Sequence, residues 1–383
     1  MSALDTRSQV ALGHARFPEA VLRPCYRHGS HRNSGVAPSS RSCADRVENA
    51  FKIMRLPILP LLLLLPGMLH AAEPANVFHP WSAVEKFDVE KLARGKIATA
   101  CNGSMSFARG ISAQAVFIVK ATPEAAVRTL LTSDPTKRPE QETWQRPLFH
   151  HESEAGFAKI KLDPKIPPVR RLLEAMRQPG ALHLSREEIA QLPKGDGLEE
   201  ARRFWGKAMM QRWSQWTQRG ELRATEAIDV RGEIASLLQE EPKVAKHFAA
   251  LLAPFTQSGP PAPPALHYWD LSNVNHTAAF SLGAIYTRAA DGREQVLDVS
   301  YYASSGYLAS ITLYEMLPIV LDGQPRTLVW EGCLVSAPAL AGGFGVKKAV
   351  GSRLMAGDLE KSVRFFQQDA AGENSKFQIP NPK

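Results

Sequence analysis

The sequence predicts an α+β protein in which an antiparallel sheet is followed by one long helix, and three observations carry that expectation. Between residues 267 and 336, apolar and β-branched residues recur with period two. They are broken by Asp291-Gly292, Ser305-Gly306 and Asp322-Gly323, pairs that suit tight hairpins because glycine accepts positive φ. Between 163 and 256 the apolar spacing is helical instead. After the last strand, Val346, Val350, Leu354, Leu359, Val363 and Phe366 line one stripe at helical spacing.

Taken in order, residues 72–111 read as an irregular opening segment with a short strand near 96–101. The run AQAVFIV at 113–119 is apolar and β-branched, and it leads into Thr122-Pro123-Glu124, an N-cap followed by proline at the first helical position. A helix is therefore predicted over 123–132, with Ala126, Val127, Leu130 and Leu131 as its apolar face and Ser133-Asp134-Pro135 as its stop. Residues 156–162 (GFAKIKL) alternate and predict a strand with one wet face. Helices are expected at 168–178, then, after the capping-box spacing of Ser185 and Glu188, at 198–219 with Gly220 in the stop position, and at 233–240 and 242–255. The stretch QSGPPAPPA at 257–265 is a stiff extended connector. Strands follow at 267–271, 278–288, 295–303, 307–318 and 326–336, then a terminal helix at 346–368 and a disordered tail at 369–383.

Ahead of all this, Met54-Arg55, an apolar stretch over 56–65 and Leu69-His70-Ala71 before Ala72 read as a signal peptide spanning 54–71. Pro57, Pro60 and Pro66 interrupt it, and it falls short of the ~20 apolar residues of a membrane-spanning helix. Residues 1–53, rich in Arg, His and Ser without apolar periodicity, read as an untranslated or disordered leader. The expected product is periplasmic or extracellular and begins near Ala72. The leader and Arg55 hold nine of the 46 Lys/Arg and four of the 38 Asp/Glu, so a formal charge of +8 falls to +3. That balance gives no support to nucleic-acid binding. Of the four cysteines, Cys101 and Cys333 remain after removal of the leader. In an oxidising compartment they either pair or stay as buried thiols, and they carry no CxxC spacing.

The order strand, helix, helical section, antiparallel meander and long C-terminal helix resembles the START-like, or helix-grip, superfamily. The residues that carry the resemblance are AQAVFIVKATPEAAVRTLL (113–131) and the tail over 328–366. It spans 112–368, with about 163–256 as a helical insertion. The resemblance implies a curved sheet gripping the terminal helix around an apolar cavity that binds or transports a lipid, sterol or other apolar molecule. A minority of members are enzymes of the polyketide-cyclase type, and no invariant catalytic signature exists to carry over.

Trp205, Met209, Trp213 and Trp216 give one helix a dense apolar face, which suits either a cavity lid or ordinary core packing. On the strands, Phe280 and Tyr286 share a face, as do Leu328, Trp330 and Leu334, and as do Ile311, Leu313 and Leu317. The expected cavity wall and lid are Phe117, Trp205, Met209, Trp213, Phe280, Tyr286, Leu313, Trp330 and Leu354. Asp298, Glu315 and Glu331 interrupt the strands and are expected on a solvated face, because carboxylates are seldom buried unpaired. His150-His151-Glu152 with Glu154 is too poorly spaced for a metal, and no GxSxG, HExxH or P-loop occurs. No metal, cofactor or catalytic residue is assigned. The expected function is a non-enzymatic carrier of an apolar small molecule or lipid. The alternatives are an enzyme using the same cavity with a His or carboxylate as acid or base, and an envelope protein docking a partner through its helical insertion.

Overall fold

The computed structural model describes residues 77, 78, 80–102, 105–150, 154–342 and 346–376. The leader, the export segment, His151, Glu152 and the last seven residues lie outside the described residues.

The opening segment contains α1 (Val89–Ala93), capped by Asp88, and β1 (Ala98–Asn102). β2 (Gly110–Val119) is buried along its whole length and leads into α2 (Pro123–Thr132), where the Thr122 hydroxyl accepts from the Ala125 N–H. Two short strands follow, β3 (Thr143–Gln145) and β4 (Leu148–Phe149). The helical section comprises α3 (Pro167–Ala175), α4 (Arg186–Ala190) with a complete Ser185/Glu188 capping box, and α5 (Leu198–Arg219), ended by Gly220 at φ +64°. A small hairpin of β5 (Arg223–Thr225) and β6 (Ile228–Asp229) precedes α6 (Val230–Glu240), α7 (Pro242–His247) and α8 (Ala249–Thr256). The meander is β7 (Leu266–Val274), β8 (Thr277–Ala290), β9 (Arg293–Ala303), β10 (Ala309–Leu321) and β11 (Gln324–Ser336). It is followed by α9 (Val346–Lys376). The turns Asp291-Gly292 and Asp322-Gly323 both have positive φ at each residue, which fits two-residue hairpins.

Apart from the β5–β6 hairpin, the strands form one antiparallel sheet in the order β1-β2-β11-β10-β9-β8-β7-β3, with β4 also paired to β7. Since side chains alternate, the register sorts residues onto two faces. One face carries Ala113, Phe117, Val329, Cys333, Tyr314, Met316, Val296 and Tyr268, and it packs against Ala125 and Ala126 of α2 and against Met355, Leu359, Val363, Phe366 and Ala370 of α9. The other face carries Val116, Trp330, Leu313, Leu297, Leu282, Tyr286 and Trp269. It packs against the helical section and against Phe78, Trp81 and Val84 of the opening segment.

Both faces are therefore covered, and this corrects the expectation of a solvated one. Glu315 is 0% and Glu331 2% exposed. The alternation seen in sequence reflects two different covers rather than core against water. The expected strand at 156–162 is instead a short 3-10 helix (Glu154–Lys159) under α5. Its backbone is satisfied by side chains: Gln145 bonds both the N–H and the C=O of Lys161, and Arg202 donates to the Ile160 carbonyl at 2.9 Å. Helix α9 runs past the expected boundary at Gln368 because Asp369 pairs with Arg138 and Ala370 is buried. The described helices include none long and apolar enough to cross a membrane.

Candidate functional site

Polar side chains collect on the face that α2 and α9 cover, the Asp298 end of the group lying beside the end of α2. Glu331 lies opposite Tyr314, and Cys333 opposite Thr312, which in turn lies opposite Asp298. From β7, Tyr268 reaches into the same region because Gly283 stands opposite it; a Cβ at Gly283 would meet the Tyr268 ring carbon Cζ at 2.0 Å. Lying across that gap, Tyr268 donates its hydroxyl to Asp298 Oδ1 at 2.6 Å. Arg146, in the link between β3 and β4, places its guanidinium 3.5 Å from Asp270, 3.7 Å from Asp298 and 4.0 Å from the Tyr268 ring centroid. Arg146 and Asp270 are 6% and 0% exposed, so the ion pairs are shielded from water. A cavity of about 20 Å³, room for one water, is lined by Leu130, Ser133, Pro135, Arg146, Ile285, Val296, Asp298 and Tyr314.

Burial sets the electrostatics here. It pushes Glu331 up to about 8, the charge of Asp298 adding to the rise and a hydrogen bond with Tyr314 opposing it. A carboxyl of that kind is predominantly protonated at neutral pH, and its Oε2 has no hydrogen-bond partner. Burial also raises the hydroxyls of Tyr314 and Tyr268 and takes the Cys333 thiol up to about 12, so this cysteine is unreactive in the folded protein. Arg146 is held charged: desolvation opposes the charge, and the neighbouring Asp270, with Tyr268 and Asp298, outweighs it.

Two further clusters serve packing. On the opposite face the Glu315 carboxylate accepts from Gln295 at 2.7 Å, His247 at 3.1 Å and Arg293 at 3.4 Å. His247 stacks on Trp81 at 4.2 Å, fastening the opening segment to α7. Arg212 on α5 bonds Glu188 and the carbonyls of His183 and Arg223, and lies over the Tyr302 ring at 4.1 Å. It ties the helical section to β9.

The expected wall residues do not line one cavity. Phe117 faces α9, meeting Phe366 at 5.9 Å between ring centroids. Phe280, Tyr286, Leu313 and Trp330 face the other way, in the cluster with Trp205 and Met209, and Trp213 packs on its margin. Leu354 is 42% exposed, pointing away from the sheet, since the buried stripe of α9 runs from Lys348 through the small Gly351 and Ser352 to Met355. Cys101 and Cys333 are free thiols. They are paired to opposite sides of the same residue, Ala113, which puts two strand spacings, roughly 9.6 Å, between them and places a disulfide out of reach. Sequence reasoning did not single out Arg146 or Tyr314, and it weighed Tyr268 and Asp270 only as part of the run His267-Tyr268-Trp269-Asp270 that could supply a base, without assigning them a role. The signal for them was Asp270, Asp298 and Glu331 standing at alternate-face positions inside otherwise apolar strands. Among the described residues no three His, Cys, Asp or Glu side chains are grouped to hold a metal. Comparisons with protein-family models, with curated proteins and with solved structures find no match.

Proposed function

We propose that this protein is an exported enzyme that takes a small molecule between the sheet and α9 and transfers a proton there, with Glu331 as the acid. The single observation behind this reading is Glu331 itself: a carboxyl 2% exposed, opposite Tyr314 on the neighbouring strand, with one oxygen unpartnered and its proton retained near neutral pH. In the step envisaged, the Glu331 carboxyl gives its proton to an acceptor oxygen or nitrogen of the substrate. The resulting carboxylate is held by the Tyr314 hydroxyl, and water reprotonates it. The position of α9 on one face of an antiparallel sheet accords with the helix-grip resemblance, which supplies the location of the pocket.

Infrared difference spectroscopy between the protein and Glu331→Gln tests the acid directly. A protonated-carboxyl band at pH 7 that disappears in the variant supports the assignment, and a carboxylate signature at pH 7 overturns it. Export is checked by intact mass after expression in a secreting host, where an N-terminus near Ala72 is expected.

The carrier reading rests on a different observation. Met316 and Met355 belong to the same apolar cluster, one from the sheet and one from α9, an adaptable pairing for an apolar guest. It requires α9 to lift from the sheet. Native mass spectrometry showing a lipid-sized adduct that is lost on denaturation would favour it over the acid–base reading.

A further inference from the structure

On the helical side of the sheet, away from Glu331, a hollow of about 800 Å³ lies between α4, the C-terminal half of α5 and the β5–β6 hairpin. Its floor is the buried ion pair of Arg212 and Glu188. Arg212 donates from Nε to Glu188 at 2.8 Å and from Nη1 to the Arg223 carbonyl at 2.6 Å, and Glu188 is held in turn by the Ser185 capping box. The floor is thus fixed before anything binds, which lowers the ordering cost of binding. One wall is a row of primary amides. Gln211, Gln215 and Gln218 line the hollow at i, i+4 and i+7 of α5, within about 60° of one another around the helix axis and in steps of about 6 and 4.5 Å along it. All three are exposed, and none has a hydrogen-bond partner among the described residues. On other parts of α5, Arg202 pairs with Glu199 and Lys207 bonds Gln191. Three arginines and four glutamates line the hollow, so its charge is close to balanced.

We propose that this hollow binds an extended, neutral glycan strand that carries acetamido groups. A primary amide is planar and holds donors and an acceptor side by side, so it pairs with two neighbouring hydroxyls of a sugar ring or, amide to amide, with an acetamido group. The steps along the row are close to the length of one ring in an extended glycan, so successive amides meet successive sugars. Balanced charge gives no advantage to an anionic or cationic polymer, since either one meets like charges in the lining. An apolar ligand fits worse still, because covering the amides with it would leave their donors and acceptors bare. The site stands on the opposite side of the sheet from Glu331 and does not depend on the acid–base reading.

The probe is chitopentaose, a neutral β-linked chain of N-acetylglucosamine, followed by saturation-transfer NMR with the full protein. The expected result is transfer to the acetamido methyl signals in the wild type. Each of Gln211→Ala, Gln215→Ala and Gln218→Ala should weaken binding about three- to tenfold, the effect of one neutral hydrogen bond, and the triple variant should lose it. Alanine is well tolerated at exposed helix positions, and circular dichroism establishes that each variant is folded. Lys243→Ala on α7, outside the hollow, is the control and is expected to bind as the wild type does. Silence in the wild type overturns the proposal, as does undiminished binding by the triple variant. So does equal binding of a neutral glycine-serine decapeptide, since the row would then accept any amide-bearing chain. Glu331→Gln separates this site from the one under α9: it should bind chitopentaose unchanged, and loss of binding there would put the sugar on the other face and overturn the assignment.

Discussion

A carboxyl that keeps its proton on folding makes stability depend on pH with a definite sign. Glu331 titrates near 8 when folded and near its ordinary 4.5 when unfolded, so between those values the folded state binds the extra proton. Its contribution is therefore fully present below about pH 4.5 and is lost as pH rises, by about 1.4 kcal/mol per pH unit through the window. Urea melts of the protein and of Glu331→Gln from pH 5 to 8 check this: the difference between their stabilities should slope in that direction. At Gly283, alanine would drive Tyr268 off Asp298 and is expected to cost about 1–3 kcal/mol by overpacking, read as a lower urea midpoint. The cysteines make a simpler test. Cys101 is exposed and Cys333 buried, so alkylation mapped by mass spectrometry should label the first in the native state and the second only after unfolding. None of these roles was written in the residue type alone. Glu331 and Asp298 looked like surface acids because a strand with one wet face is the commoner reason for alternation, and burial under two covers reverses that meaning.

At the scale of elements, legibility followed the local signals. The bounds of α2 and α5 were readable to the residue because Thr122-Pro123 and Gly220 mark them chemically. The meander was readable because three glycine-bearing turns divide it. Helix α9 was found but rotated in phase: Val350 and Leu354 drew attention by being apolar, while the face that meets the sheet runs through Gly351 and Ser352, whose hydroxyl donates to the Asn102 carbonyl at 3.2 Å. Small residues at a close contact give no hydrophobic signal. The strand expected at 156–162 failed for the opposite reason, since its bonds go to side chains of distant residues that no local pattern records. The packing of α9 predicts that Phe366→Ala, which removes a ring meeting both Phe117 and Tyr314, costs about 3–5 kcal/mol, whereas Leu354→Ala on the outer side changes stability by under ~0.5 kcal/mol. Thermal denaturation of the two variants separates them.

For the molecule as a whole, the helical section is a structural layer of the sheet. It covers Trp269, Phe280, Leu313 and Trp330, so deleting 163–256 should expose that face and yield aggregated protein. Recovery of a soluble, cooperatively melting sheet domain would show that the section is dispensable. The sheet's connectivity has its own consequence in time. Gly110 pairs with Ser336 and Val119 with Thr327, so the first long strand waits for the last one before its second neighbour exists. Such non-local pairing is slow because a long loop must close first. During synthesis, β2 emerges early and stays without that neighbour until almost the entire chain has been made. The protein thus reaches its final topology only as a finished polypeptide, and chains cut short before residue 324 would be left with an open apolar edge.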